Sequence, residues 1–253
     1  MIETKLEYKD KTTESLFFDP EPHKYYWNDQ EVPSATNVCK ILTPASAIGN
    51  WSTKLCSEKF KELIQAGKSY DEIQILEMAE LIKKAPNTFM QQAGTAGSYV
   101  HDAIEKYIHH KEEPNFTNEG MAKSFTKFKE WYNEQQGLEM VNTESRVLSR
   151  KHFFTGTYDA LFKNGKGEYI IYDWKTSSGI RDSYLVQIFL YSIGLEEQFD
   201  FKISKGVIVN ATKDGKLNIK TFDVNEEMQQ VALACLKVFQ FLNPKFKPKQ
   251  GEK

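Results

Sequence analysis

Two acids and a lysine in the middle of the chain have the types and spacing for charge chemistry. Asp173 and Lys175 stand two apart in YIIYDWKTS, so on an extended strand they project from one face while Trp174 turns the other way into packing. Asp159 lies in the preceding strand-like segment TGTYDALF, joined to the next by Asn164-Gly165-Lys166-Gly167. A three-residue hairpin loop centred on Lys166 puts Asp159 directly opposite Asp173. Like charges facing across a ladder repel unless something neutralises them. A divalent cation does so, and oxygen ligands suit magnesium or manganese. The plainer alternative is a surface pair of acids sharing a salt bridge with the lysine. A strand built of Ile170, Ile171, Tyr172 and Trp174 is an uncommon place for one.

A second group sits upstream. In GTAGSYVHDAIEKYI, Gly97, His101 and Glu105 recur every four residues, on one face of a helix. The glycines allow close backbone approach to a strand or a phosphate chain. An imidazole beside two carboxylates makes a mixed metal site and shifts preference toward manganese. A hydrogen-bonded structural histidine in the core is the alternative reading.

These groups need elements to hold them. SLFFD and HKYYWNDQEV read as strands, with Asn28-Asp29 as a hairpin turn. Pro33-Ser34 opens the apolar-periodic stretch TNVCKIL, with Ser34 or Thr36 as N-cap. Helical spacing covers residues 51–66, 70–84, 96–110 and 120–135, the last with Phe125, Phe128, Trp131 and Tyr132 on its apolar side. Then come strands MVNTESRVLS, TGTYDALF and EYIIYDWKTS, a helix over 183–197, strand KGVIVNAT, the turn Lys213-Asp214-Gly215, strand KLNIKTFDV and a helix over 225–242. This order describes an α/β (α+β mixed) architecture, a central mixed sheet flanked by helices. Residues 1–90 are expected to form a hairpin and helical elaboration that guides substrate, and residues 91–253 the core, within a single compact unit overall.

At 253 residues the chain is long enough for a well-buried core. No stretch approaches the roughly 20 apolar residues of a membrane helix, and the polar start MIETKLEYKDKTTE has no signal-peptide run; a cytoplasmic protein without membrane attachment is expected. Cys39, Cys56 and Cys235 are widely spaced and form no CxxC pair, which argues against a zinc or iron–sulfur centre. The net charge of −2 does not advertise a nucleic-acid binder. Basic residues nevertheless cluster at Lys123, Lys127 and Lys129, and at Lys245, Lys247, Lys249 and Lys253. Each cluster is either a phosphate contact or a solvated face. The aromatic front (Phe17, Phe18, Tyr25, Tyr26, Trp27) offers stacking faces for unpaired bases or rings for a small core. The hydroxyl of Ser34 could help hold a phosphate. A chain beginning near residue 45 is expected to fold its core.

Four motifs in order, Gly97-x-x-x-His101, Gly156-Thr157-Tyr158-Asp159, Asp173-Trp174-Lys175-Thr176 and Gln187-x-x-x-Tyr191, resemble the RecB-like branch of the PD-(D/E)XK nucleases. The resemblance covers residues 94 to about 192. More loosely, HKYYWNDQEVPSATNVCKIL is similar to the opening of mitochondrial genome maintenance exonucleases and their phage relatives. The proline that often precedes the first acid is replaced by Tyr158, as is usual in this branch. The resemblance implies a restriction-endonuclease-like core and hydrolysis of DNA phosphodiesters, as an exonuclease on single strands or ends in replication, repair or recombination. A structure-specific endonuclease and a catalytically silent DNA-end-binding module are the alternatives. It also implies that His101, Asp159, Asp173 and the Trp174 carbonyl hold Mg²⁺ or Mn²⁺, with no iron–sulfur cluster. Lys175 then orients or activates water, and Gln187 and Tyr191 fix the site or reach DNA. Thr176, Glu105 and, more weakly, Glu144 are supporting candidates.

Overall fold

A computed structural model describes residues 1–135, 137–212 and 214–249. Lys213 of the expected turn and Lys253 of the basic tail lie outside the described residues. The chain forms two compact units, residues 1–42 with 114–253, and residues 43–113.

In the first unit a five-stranded sheet runs β5 (Glu139–Ser149), β6 (Phe154–Lys163), β7 (Tyr169–Lys175), β8 (Ile203–Ala211) and β9 (Leu217–Asp223), in that spatial order. The β6–β7 hairpin sets the register of its centre. Asn164 N–H donates to the Glu168 carbonyl, Asn164 Oδ1 accepts from Lys166 N and Glu168 N, and Gly167 takes φ +83°. That left-handed residue suits glycine in a three-residue loop. Lys163 therefore pairs with Tyr169, and the loop is centred on Lys166 as expected.

Strands β7 and β8 are parallel, the other pairs antiparallel. A parallel pair needs a crossover, supplied by α5 (Asp182–Gln198). This helix is buried along most of its length between the sheet and α6 (Glu226–Leu242). The other face is covered by α4 (Glu119–Glu134), whose Phe128 and Trp131 meet Trp174 and Tyr172 at ring separations of 5.5 and 5.9 Å. The sheet is thus mixed and flanked by helices on both faces, which is why its inner strands read as nearly continuous apolar runs.

The front residues form a second, antiparallel sheet of β1 (Ile2–Glu7), β2 (Thr13–Asp19), β3 (Lys24–Trp27) and β4 (Gln30–Val32). Asn28 and Asp29 both adopt positive φ, as a type I′ turn requires. Strand β1 was not foreseen, because its apolar alternation is carried only by Ile2 and Leu6. Leu6, Leu16, Tyr25 and Val32 pack with Leu148 and Phe153 of the central sheet's first hairpin. Tyr25 is therefore a core ring, while Phe17 and Tyr26 stay half-buried. Beyond β4, Thr155 N donates to the Pro33 carbonyl at 2.9 Å. Helix α1 (Ala35–Cys39) then places Ala35, Val38 and Cys39 in the main core. A chain starting near residue 45 would lack these three residues of the main core.

The second unit is a helical hairpin of α2 (Ala45–Leu63) and α3 (Glu72–His110). Sequence spacing suggested two helices over 70–84 and 96–110; the structure has one, continuous through residue 90. It starts at a capping box in which Asp71 Oδ1 accepts from Gln74 N and Gln74 Oε1 accepts from Asp71 N. Pro86 inside α3 has no N–H for the Ile82 carbonyl. The thiol of Cys56, on α2, donates to that carbonyl at 3.3 Å. The orphaned acceptor is thereby satisfied, and the helix continues through a residue expected to break it. Among the described residues no helix is long and apolar enough to cross a membrane.

Candidate active site

At the carboxyl end of β7 the sheet opens. The β6–β7 ladder stops at Ala160–Tyr172, and the next positions of the same register are Asp159 and Asp173. Instead of a ladder bond, the Trp174 N–H donates to Asp159 Oδ2 at 2.6 Å. Asp173 is 1% exposed, and Lys175 Nζ sits 2.6 Å from its Oδ2. Both acids and the ammonium thus share the face toward α5, while Trp174 packs toward α4, as the strand alternation predicts.

Burial sets the protonation of these groups. It raises the Asp159 carboxyl, against the pull of Lys175 and of the Trp174 N–H. Burial alone would lower the Lys175 ammonium, but Asp173 and Asp159 outweigh it and the net shift is upward. Lys175 therefore stays charged at neutral pH. Its Nζ also lies 5.2 Å from the ring centre of Tyr184.

Helix α5 contributes the next layer. Gln187 Nε2 donates to Tyr191 Oη at 2.7 Å and to Thr36 Oγ1 at 3.1 Å. Burial, then the charges of Asp173 and Asp159, push the Tyr191 phenol well above its ordinary value, so it stays neutral. Its ring lies against Gly156, where a Cβ would stand 2.6 Å from Cε1. The glycine of Gly156-Thr157-Tyr158-Asp159 is there to admit the tyrosine of Gln187-x-x-x-Tyr191.

Strand β5 adds a third carboxylate. Glu144 is bracketed by the pairs Thr143–Ala160 and Ser145–Tyr158, which places it across from Asp159. Oxygens of the two carboxylates lie within 4.8 Å of each other. Glu144 is exposed and holds φ +43°, a left-handed conformation that costs a non-glycine residue about 1–3 kcal/mol and clusters at functional sites. The donor set on these strands is hard oxygen, crowded and partly buried, which fits a divalent cation such as magnesium or manganese.

The other sequence candidates are disposed differently. Ser34 is the N-cap of α1: its Oγ accepts from Asn37 N at 3.1 Å and donates to Asn37 Oδ1 at 2.6 Å. Its hydroxyl serves the cap, and a five-residue helix has little dipole to offer a phosphate. Thr176 follows the strand end, half-buried. His101 and Glu105 belong to the second unit, one turn apart on α3 and half-buried with Gly97 on one face. Sequence reasoning passed over Thr36 as a partner of Gln187, and Asn210. The only signal for Asn210 was one amide in the apolar run KGVIVNAT.

No protein-family model matches the chain, and no curated protein does. Solved structures similar to it include exonucleases. The alkaline exonuclease LHK-Exo of Laribacter hongkongensis, in complex with dAMP, is 10% identical over 83% of this chain and 87% of its own, with a TM-score of 0.41. A phage-related exonuclease of Haemophilus somnus is 11% identical over 76% of this chain and 95% of its own, with a TM-score of 0.31. Both likenesses are distant.

Proposed function

We propose that the chain is a metal-dependent DNA nuclease of the PD-(D/E)XK superfamily, RecB-like branch, that hydrolyses phosphodiester bonds. The observation that carries this reading is that buried Asp159 and Asp173 share one face with half-buried Lys175 at an opened strand end. Two carboxylates beside one ammonium form a cation site with a fixed positive charge next to it. In this reading Asp159, Asp173, the Trp174 carbonyl and His101 are the protein ligands, with Glu144 and Glu105 as supporting acids. Bound there, Mg²⁺ or Mn²⁺ would polarise a phosphodiester oxygen and lower the pKa of a bound water.

The chain's own residues supply the rest. Lys175, held charged by its acids, orients the attacking water and stabilises negative charge developing on phosphorus. Gln187 and Tyr191 brace the strand end through Gly156 and Thr36, and Thr176, just past that end, supports the site or reaches DNA. The substrate is DNA, single-stranded or with free ends, degraded from those ends in replication, repair or recombination, and the protein acts in the cytoplasm.

The test is digestion of end-labelled single-stranded, duplex and circular DNA with Mg²⁺, Mn²⁺ or EDTA, beside the Asp173→Asn variant. Metal-dependent release of nucleotides from linear DNA, lost in the variant, supports the reading. Nicking of circles assigns an endonuclease; undiminished cutting in EDTA, or binding without cutting, sinks it.

A further inference from the structure

Past the Lys175–Asn210 pair the β7–β8 ladder stops, yet the strand end is held. The wholly buried carboxamide of Asn210 takes over where the ladder leaves off. Its Oδ1 accepts from the Ser177 N–H at 3.0 Å, and its Nδ2 donates to the Ser177 carbonyl at 3.1 Å. A side chain thereby makes the two bonds that a further strand residue would have made. Ser177 Oγ lies 3.2 Å from the same Oδ1 and donates to the Gly179 carbonyl at 2.7 Å, turning the chain away toward α5.

An amide at this depth is costly unless both its ends are bonded. The neighbours Val207, Ile208, Val209 and Ala211 are apolar, and an aliphatic side chain would fill the same space. What an aliphatic residue lacks is a grip on the Ser177 main chain. Lys175 and Asn210 are register partners, so both project to the face that carries Asp173.

We propose that Asn210 is a positioning residue of this centre: its clamp on Ser177 holds the end of β7 so that Lys175 stays against Asp173. The proposal rests on the nuclease reading of that site. Asn210 touches neither substrate nor metal and acts only through the strand end.

The experiment compares the parent with Asn210→Ala, Asn210→Asp and Ser177→Ala. It measures kcat and KM on end-labelled DNA, thermal unfolding, and hydrogen exchange of the Ser177 amide. Asn210→Ala is expected to lower kcat about tenfold or more with KM unchanged, because a small misplacement of a catalytic group is costly. It should also speed Ser177 amide exchange. Ser177→Ala keeps both main-chain bonds and is expected to stay within about threefold of the parent. A folded Asn210→Ala with kcat within about twofold of the parent overturns the proposal, as does a fall confined to KM. If that variant does not fold, Asn210→Asp carries the same test, since it presents an acceptor where the Ser177 carbonyl needs a donor. If the parent cuts no DNA, the nuclease reading fails separately. Unchanged Ser177 exchange in Asn210→Ala then still overturns the clamp.

Discussion

Asp159 and Trp174 are joined by a bond that belongs to neither a side-chain pair nor a ladder: the carboxylate of one strand takes the backbone N–H of the next at 2.6 Å. The two strands part beyond Ala160–Tyr172, and this bond ties the opened end. It also spends one oxygen lobe of Asp159 on geometry, which aims the remainder of the carboxylate at the face it shares with Asp173.

An Asp159→Asn variant can keep that bond, because a carboxamide oxygen also accepts from Trp174 N–H. Activity is expected to fall by roughly two orders of magnitude or more with the loss of an anionic ligand. Stability moves the other way. Burial raises the folded carboxyl above its ordinary 3.8, so Asp159 favours the folded state below that pH and loses this contribution as pH rises through its raised value. Without metal at pH 7, the variant should be more stable than the parent. Urea denaturation from pH 4 to 7 checks this; a gap that does not grow with pH counts against the buried-charge account.

Lys175→Ala should abolish turnover and leave DNA binding largely intact, since one ammonium is a small part of a phosphate-contacting surface. It also leaves Asp173 buried without its ion-pair partner, at a cost of about 3–5 kcal/mol. The folded ammonium lies above its ordinary 10.5, so the parent keeps this contribution through neutral pH and loses it only in alkali, as pH rises through the folded value. Binding isotherms in Ca²⁺ and melting curves from pH 7 to 11 test both halves.

Gly156→Ala is a packing test of the Gln187–Tyr191 layer. The new Cβ would meet Tyr191 Cε1 at 2.6 Å, and the ring is fully enclosed, so the ring or strand must shift. A loss of about 1–3 kcal/mol is expected, read as a lower urea midpoint at unchanged slope, together with a reduced kcat.

Pro86→Ala should strengthen α3. The new N–H can reach the Ile82 carbonyl, which in the parent takes the Cys56 thiol, and proline disfavours a helix interior by about 3 kcal/mol. Greater amide protection across residues 82–90, with raised thermal stability, is the expected result. A destabilised variant would mean that the thiol bond was the better one.

Deleting residues 1–44 should prevent folding of the first unit. The deletion removes Ala35, Val38 and Cys39 from the core and frees the Thr155 N–H from Pro33. The purified fragment is expected to lack near-ultraviolet circular dichroism; a sharp cooperative melt would contradict the assignment of these residues to the core.

Much of the centre was legible in one dimension because it is built from local regularities. The period of two places Asp173 and Lys175 on one face and Trp174 on the other. The glycine-bearing loop around Lys166 sets the register that brings Asp159 opposite Asp173. Helical spacing pairs Gln187 with Tyr191. These relations depend only on residues within a strand, a hairpin or a helical turn, where backbone geometry leaves few choices.

What the tertiary structure decided is everything that joins distant segments. The aromatic front became a sheet packed on the central hairpin, because Tyr25 gains more by burial with Leu148 and Phe153 than by exposure. The segment that Ser34 caps delivers Thr36 to Gln187, across 151 residues of sequence. Spacing divides α3 into two helices, yet it runs on through Pro86, whose orphaned Ile82 carbonyl takes a thiol from another helix. Asn210 is one amide in the apolar run KGVIVNAT, and its role follows from the strand beside it, which ends two residues short of Ser177. Each of these depends on a partner that sequence spacing does not specify, since a buried polar group is satisfied by whichever donor or acceptor the fold brings within reach.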